Sequence, residues 1–375
     1  MDAAATGGFT RFRVAAKRRE SETIASFELA PLAGQVPAFV PGQFLVVRLP
    51  AEGGQAPILR HYSISSSPRE RERLRITVKR EPPPPDRPEL PPGMGSGHLH
   101  GRITVGDTLE VHGPRGEFRL DPDSPRPVVL LSGGVGLTPL VSMLHALVEA
   151  AGRRVFFIHA CDNGKVHAFR EEVLALAARG APGVTVHFCY RSPTDEDVAR
   201  GTFHGRGVIT REVLQSLLPL DDYDVYMCGP PPFMRANYGI LRGLGVPEPR
   251  IRYEFFGPAT VLEEAKKTTG APPPTEAETA RPAAGAVSPE QAIEVVFRKS
   301  GKTAIWDAHA KSLLDFAEAV GLDPPFSCRA GVCSTYLTAL RSGEVEYIEQ
   351  PLADLGDDEV LLCCTKPKTS VELDI

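Results

Sequence analysis

Apolar and polar residues alternate in short stretches over the first third of the chain. FLVVRL (Phe44–Leu49), RITVKR (Arg75–Arg80) and TLEVHG (Thr108–Gly113) are set apart by segments bearing Gly and Pro. Successive side chains of a strand point to opposite faces, so these stretches predict strands broken by turns. Many short strands of this kind predict a small antiparallel β-barrel over residues 8–122. The pattern then changes. PVVLLSGG (Pro127–Gly134) is a fully apolar strand, and LVSMLHALVEA (Leu140–Ala150) has helical periodicity. VFFIHA, EEVLALAA, VTVHFCY, EVLQSLL and DVYMCGP follow, strand and helix in turn. That order predicts a doubly wound parallel α/β sheet over residues 123–262. Residues 263–290 are rich in Pro, Ala, Thr and charge, with almost nothing to bury, and read as a semi-extended linker. Residues 291–375 open with an expected hairpin, IEVVFRKSGKTAIWD, then an amphipathic helix, SLLDFAEAVG, then a loop bearing cysteines.

Charge adds one feature. The net charge is −5, which gives no reason to expect a nucleic-acid partner. Between Glu290 and Ile375, 15 acidic and 8 basic residues leave −7, so the remainder of the chain sums to +2. An acidic end module suits docking on a basic protein surface. No apolar run reaches the roughly 18 residues of a membrane helix, so no membrane association is expected. Met1 to Glu20 holds no apolar signal core, which points to the cytoplasm. In a reducing compartment, four cysteines crowded at the end (Cys328, Cys333, Cys363 and Cys364) read as metal binding before disulfides.

Five motifs carry candidate chemistry. Arg60-His61-Tyr62-Ser63 ends a barrel strand and offers a cation, a flat aromatic and a hydroxyl, the groups that a flavin's phosphates, ring and N5 need. Alternation sets Arg60 and Tyr62 on one face. Gly93-Met94-Gly95-Ser96 allows backbone N–H groups to approach a pyrophosphate. Gly133-Gly134-Val135-Gly136-Leu137-Thr138-Pro139 follows an apolar strand and opens a helix, the setting of a dinucleotide phosphate loop, although it is not the GxGxxG fingerprint. Cys228-Gly229-Pro230 ends another strand, where ligands of open α/β sheets bind. Cys328 and Cys333 have the C-x4-C spacing of a plant-type 2Fe–2S loop, with Cys363 as the distant ligand; Tyr336 stands in the remaining ligand slot.

Together these residues resemble the ferredoxin reductase superfamily over about residues 8–262. RHYS resembles its flavin-binding strand, GGVGLTP its nicotinamide-nucleotide loop, CGPPPFM its Cys-Gly-Pro motif, and YEFFGP (Tyr253–Pro258) the segment over the flavin. Pro127 to Leu262 is especially similar to the reductase half of flavohaemoglobins. The last 85 residues, with CRAGVC and LLCCTKP, resemble plant-type ferredoxins, which implies a β-grasp domain. Reductase followed by ferredoxin resembles the reductase components of multicomponent oxygenases.

The resemblance implies an NAD(P)H-dependent flavin reductase that passes electrons through flavin and a 2Fe–2S centre to a Rieske or P450 oxygenase. The alternative is a flavin reductase acting directly on external acceptors, with the end module a docking domain lacking a cluster. FAD is expected, with FMN as the alternative. Ser63, Cys228 and Glu254 are the expected catalytic residues. Arg60, His61, Tyr62, Gly95, Ser96, Gly133, Gly134, Gly136, Thr138, Gly229, Pro230 and Phe256 are expected at the cofactors. NADH is expected over NADPH because Asp195 and Glu196 would repel a 2′-phosphate, although Arg191 would attract one. A phenolate is a harder donor than a thiolate, so Tyr336 implies poor iron binding or none.

Overall fold

A computed structural model describes residues 8–50, 57–83, 93–255, 293–322, 337–348, 355–356 and 358–375. The expected linker at 263–290, and the expected site residues Phe256, Cys328, Cys333 and Tyr336, lie outside the described residues. The chain divides into two compact units, Met1–Gly257 and Pro258–Ile375.

The first unit begins with strands β1 (Thr10–Arg19), β2 (Ile24–Pro31), β3 (Phe44–Leu49), β4 (Ile58–Ser63) and β5 (Leu74–Lys79), helix α1 (Met94–Gly101) and strand β6 (Thr108–Arg115). The six strands pair antiparallel in the order β4-β3-β6-β1-β2-β5. A bridge between Ile64 and Ile76 joins the two edges, closing the sheet into a barrel. β1 shows why these residues fold this way: Phe12 and Val14 are buried while Arg11 and Arg13 face water. Phe27, Leu45, Val47, Leu74 and Ile76 fill the interior with them, and Leu99 of α1 covers one end.

The rest of the unit is a parallel sheet. Its elements are β7 (Val128–Gly133), α2 (Leu137–Ala150), β8 (Val155–Cys161), α3 (Arg170–Arg179), β9 (Val184–Tyr190), α4 (Asp195–Arg200), β10 (Gly205–Arg206), α5 (Arg211–Leu217), β11 (Asp224–Gly229), α6 (Pro231–Gly243) and β12 (Ile251–Phe255). The strand order is β10-β9-β8-β7-β11-β12. β7 and β11 lie at its centre and are buried at every position, which is why their sequences are apolar without alternation. The chain winds outward from β7 through β8 and β9, then returns to the other side of β7 as β11. The switch point therefore lies between the carboxyl ends of β7 and β11, where such sheets bind ligands.

Barrel and sheet meet through polar contacts. Arg75 of β5 reaches Glu172 of α3 with two hydrogen bonds of 2.7 Å, and His145 of α2 bonds the same carboxylate at 2.7 Å. Ser142 of α2 donates to the Ser66 carbonyl at 2.8 Å.

The second unit holds β13 (Glu294–Phe297), β14 (Lys302–Ile305), α7 (Leu313–Ala319), β15 (Leu337–Ser342), β16 (Val345–Tyr347), β17 (Glu359–Leu361), β18 (Thr365–Pro367) and β19 (Val371–Leu373). β13 and β14 form the expected hairpin, and β19 runs parallel to β13 in a mixed sheet of order β14-β13-β19-β15-β17. Phe316 of α7 packs against Phe297 and Trp306 beneath it.

Candidate functional site

The barrel contributes the end of β4. Ser63 is buried, and its hydroxyl donates to Glu254 Oε2 at 3.4 Å. Glu254 belongs to β12 of the parallel sheet, so this bond joins the two domains of the unit. Glu254 pairs in register with Cys228 of β11, and Cys228 with Ser132 of β7. Three neighbouring strands thus bring a hydroxyl, a thiol and a carboxyl to one row at their carboxyl ends. Burial pushes the Glu254 carboxyl up to about 8, and the Ser63 hydrogen bond opposes that rise. Burial, and then the nearby Glu254, push the Cys228 thiol well above its ordinary range. At neutral pH this site therefore favours a protonated carboxyl and a neutral thiol.

The loops after β7 and β11 are pressed together. A Cβ on Gly136 would stand 2.3 Å from the Cys228 carbonyl oxygen, and one on Gly229 would stand 3.1 Å from Gly133 Cα. Only glycine allows this approach. Gly134 is held at φ +54°, a conformation that other residues rarely adopt. A single 3-10 turn, Gly134–Gly136, separates β7 from α2, so the helix starts one turn after the strand rather than directly on it. Thr138 is buried and its hydroxyl donates to the Val135 carbonyl at 3.1 Å, which shapes this turn. Pro230 caps α6 from an extended conformation.

A second cluster forms around β4 and α1. Tyr62 packs against the barrel core, and its hydroxyl is raised by burial, an effect that nearby Arg60 opposes. Arg60 is exposed and lies across α1, where a Cβ on Gly95 would stand 2.8 Å from its Cγ. His61 points the other way, its ring 5.2 Å from that of Phe44. Ser96 is buried; its hydroxyl accepts from Glu81 N at 3.1 Å and donates to the Gly93 carbonyl at 3.1 Å. The backbone N–H groups of Met94, Gly95 and Ser96 lack partners within the helix because they lie in its first turn.

In the second unit, Cys363 and Cys364 share the 3-10 turn Leu362–Cys364. Cys364 is buried and its thiol faces the Leu361 carbonyl at 3.5 Å, whereas Cys363 is partly exposed.

Sequence reading missed two residues at the switch point. Ser132 stands beside Cys228 and bonds His159 Nδ1 at 2.8 Å. The Phe233 ring closes over both loops, since a Cβ on Gly133 or Gly229 would meet it at 2.8 or 2.7 Å. Both belong to motifs visible in the chain, LLSGG and CGPPPFM, but only the fold shows that they face the same crevice.

The chain is similar in sequence and fold to known proteins. Family models described as Oxidoreductase FAD-binding domain, Oxidoreductase NAD-binding domain and 2Fe-2S iron-sulfur cluster binding domain match residues 11–120, 130–238 and 297–368. The flavohemoprotein of Bordetella pertussis is 44% identical over 254 residues, covering 67% of this chain and 61% of its own length. That of Bacillus thuringiensis is 41% identical over 257 residues, covering 68% and 62%. The chain thus spans about three-fifths of the length of the curated relatives it matches. Among solved structures, the flavohem-like FAD/NAD binding domain of nitric oxide dioxygenase from Vibrio cholerae is 34% identical, with a TM-score of 0.59, covering 67% of this chain and all of that one. Phthalate dioxygenase reductase, 24% identical with a TM-score of 0.55, covers 98% of both chains and shares the fold of all three modules. The chain therefore belongs to the ferredoxin reductase superfamily, with an FAD-binding and NAD-binding oxidoreductase body followed by a domain of the 2Fe–2S ferredoxin type.

Proposed function

We propose that this protein is an NAD(P)H-dependent flavin reductase that delivers electrons to a partner protein, an oxygenase of Rieske or P450 type. One observation carries the reading: Ser63 of the barrel bonds Glu254 of the parallel sheet, which pairs in register with Cys228 at the carboxyl end of β11, beside the glycine loops. The residues present suit FAD. Tyr62 offers a ring face, Arg60 a cation, and the first turn of α1 three backbone donors. They also suit a nicotinamide nucleotide, whose pyrophosphate needs the close backbone approach that Gly133, Gly134 and Gly136 allow. FAD held by Tyr62, Arg60 and the first turn of α1 would supply hydride acceptance from a nicotinamide and one-electron release.

The chain's own residues orient and hold protons. Ser63 directs its hydroxyl to the edge of the flavin site. Glu254, mostly protonated at neutral pH, holds a proton on its carboxyl within reach of the Ser63 oxygen. Cys228 presents a small thiol that burial keeps neutral, so it would bring no negative charge to the nicotinamide site. Pro230 bounds the same crevice in this reading, as do Thr138 and Gly229 through the loops they shape.

The end module does not match its family's donor set. Cys328, Cys333 and Cys363 are three thiolates where a plant-type cluster takes four, and Tyr336 supplies a phenol instead. Cys364 is buried, its thiol beside the Leu361 carbonyl. That mismatch favours a second reading, in which the reductase body reduces external acceptors directly and the end module serves for docking. Flavin, iron and sulfide analysis of the purified full chain, with NADH-driven reduction of a small dye and of cytochrome c, tests both. A chain without flavin, or one that leaves the dye unreduced, would sink the reductase reading.

A further inference from the structure

Helix α1 is gripped at the end remote from Arg60. Lys17 of β1 sends its ammonium to three carbonyl oxygens at the C-terminal end of α1 and just beyond: Leu99 at 3.2 Å, His100 at 2.7 Å and Ile103 at 2.8 Å. Carbonyls at a helix end lack partners within the helix, and a cation there also opposes the negative pole of the helix. The ammonium lies 5.3 Å from the centre of the Phe27 ring, which limits where else it can go. Two further ties run from α1 to the barrel. His100 Nε2 bonds the Val78 carbonyl at 2.8 Å, and the Ser96 hydroxyl bonds Glu81 N at 3.1 Å. The first turn then lies against Arg60, close enough that any Cβ on Gly95 would strike its side chain. Eight residues span about 12 Å, so a small tilt at the Lys17 end displaces the first turn.

We propose that Lys17 is a positioning residue for the pyrophosphate of FAD: by holding the C-terminal end of α1 it aims the first-turn N–H groups and Arg60 at one point. This rests on the reading of the barrel as an FAD site. Lys17 touches no cofactor atom in this scheme. Its loss should therefore weaken the dinucleotide half of the ligand and leave the ring half alone, a pattern that general loosening of the barrel would not produce.

The test measures dissociation constants of FAD and riboflavin by fluorescence quenching on the full-length chain depleted of flavin. Wild type, Lys17→Met, Lys17→Gln and Lys17→Arg are compared. Lys17→Met should weaken FAD by about tenfold while riboflavin stays within about twofold. Lys17→Gln, which keeps a donor, should fall between, and Lys17→Arg should recover most of the FAD affinity. Should Lys17→Met fail to fold, the Gln and Arg variants carry the comparison. Equal loss of both ligands, or FAD affinity unchanged in folded variants, overturns the proposal alone. A wild-type chain that binds FAD no tighter than riboflavin overturns the pyrophosphate placement, and the proposal with it.

Discussion

Glu254 stands where barrel and sheet meet, and its acidity carries a testable sign. Its carboxyl rises in the folded chain from an ordinary 4.5 to about 8 because burial penalises the charged form. A raised acid favours folding below its unfolded value, and that contribution is lost as pH rises through about 8. Wild-type stability should thus fall relative to Glu254→Gln as pH rises from about 4.5 to about 8 and level off above that, read from denaturation midpoints at pH 5, pH 7 and pH 9. The rate of flavin reduction by NADH should show an inflection near pH 8 in the wild type and none in Glu254→Gln. Cys228 makes a separate prediction. If it packs at the nicotinamide, Cys228→Ala should slow hydride transfer and leave flavin content unchanged; stopped-flow reduction at the parent rate would make it an ordinary core residue. Coenzyme choice also turns on single residues. Arg191 Nη2 lies 2.6 Å from Asp162 Oδ1, and Glu196 pairs with Arg200. A 2′-phosphate would have to compete with Asp162 for that guanidinium. NADH should therefore give the higher kcat/KM, and a preference for NADPH in steady-state kinetics would count against this assignment.

Among the elements, β5, α2 and α3 form the clamp between barrel and sheet. Burial by itself would raise the Glu172 carboxyl, but hydrogen bonds from His145 and Arg75 bring it down to about 2. A depressed acid stabilises the fold above its unfolded value, and that stability is lost as pH falls from about 4.5 toward 2. Glu172→Gln keeps the shape and removes the charge. It should cost roughly 2 kcal/mol at pH 7, the worth of hydrogen bonds to a partly buried charged group. The difference from wild type should vanish near pH 2. Denaturant unfolding at the two pH values measures both. The motifs of the neighbouring loops were legible in the chain because each depends on short-range spacing. GGVGLTP and CGPPP announce loops wherever they fold. The clamp was not legible, because Arg75, His145 and Glu172 lie on three separate elements and carry no shared spacing.

For the whole molecule, the question is whether electrons can leave through the end module. The parent chain is expected to hold little or no iron, and Tyr336→Cys should bring iron, acid-labile sulfide and the visible absorption bands of a cluster. Reduction of cytochrome c should rise with them, while reduction of a small dye that draws on the flavin should change little. About two irons and two sulfides per chain in the parent protein, with spectra unchanged by Tyr336→Cys, would show that a phenol suffices at this position.

The order of modules, the change from two-residue to helical periodicity near Asp123, and the glycine loops were all readable along the chain. Those features depend on neighbours within a few residues, where covalent geometry and side-chain alternation dominate. The row Ser132–Cys228–Glu254 with Ser63 opposite was only half readable. Its members lie up to 191 positions apart, and strand pairing alone sets which of them face one another. Ser132 and Phe233 escaped notice for that reason, and so did the grip of Lys17 on α1. The acidity of Glu254 likewise had no trace in the sequence, since it follows from burial between two domains, and burial exists only once the chain has folded.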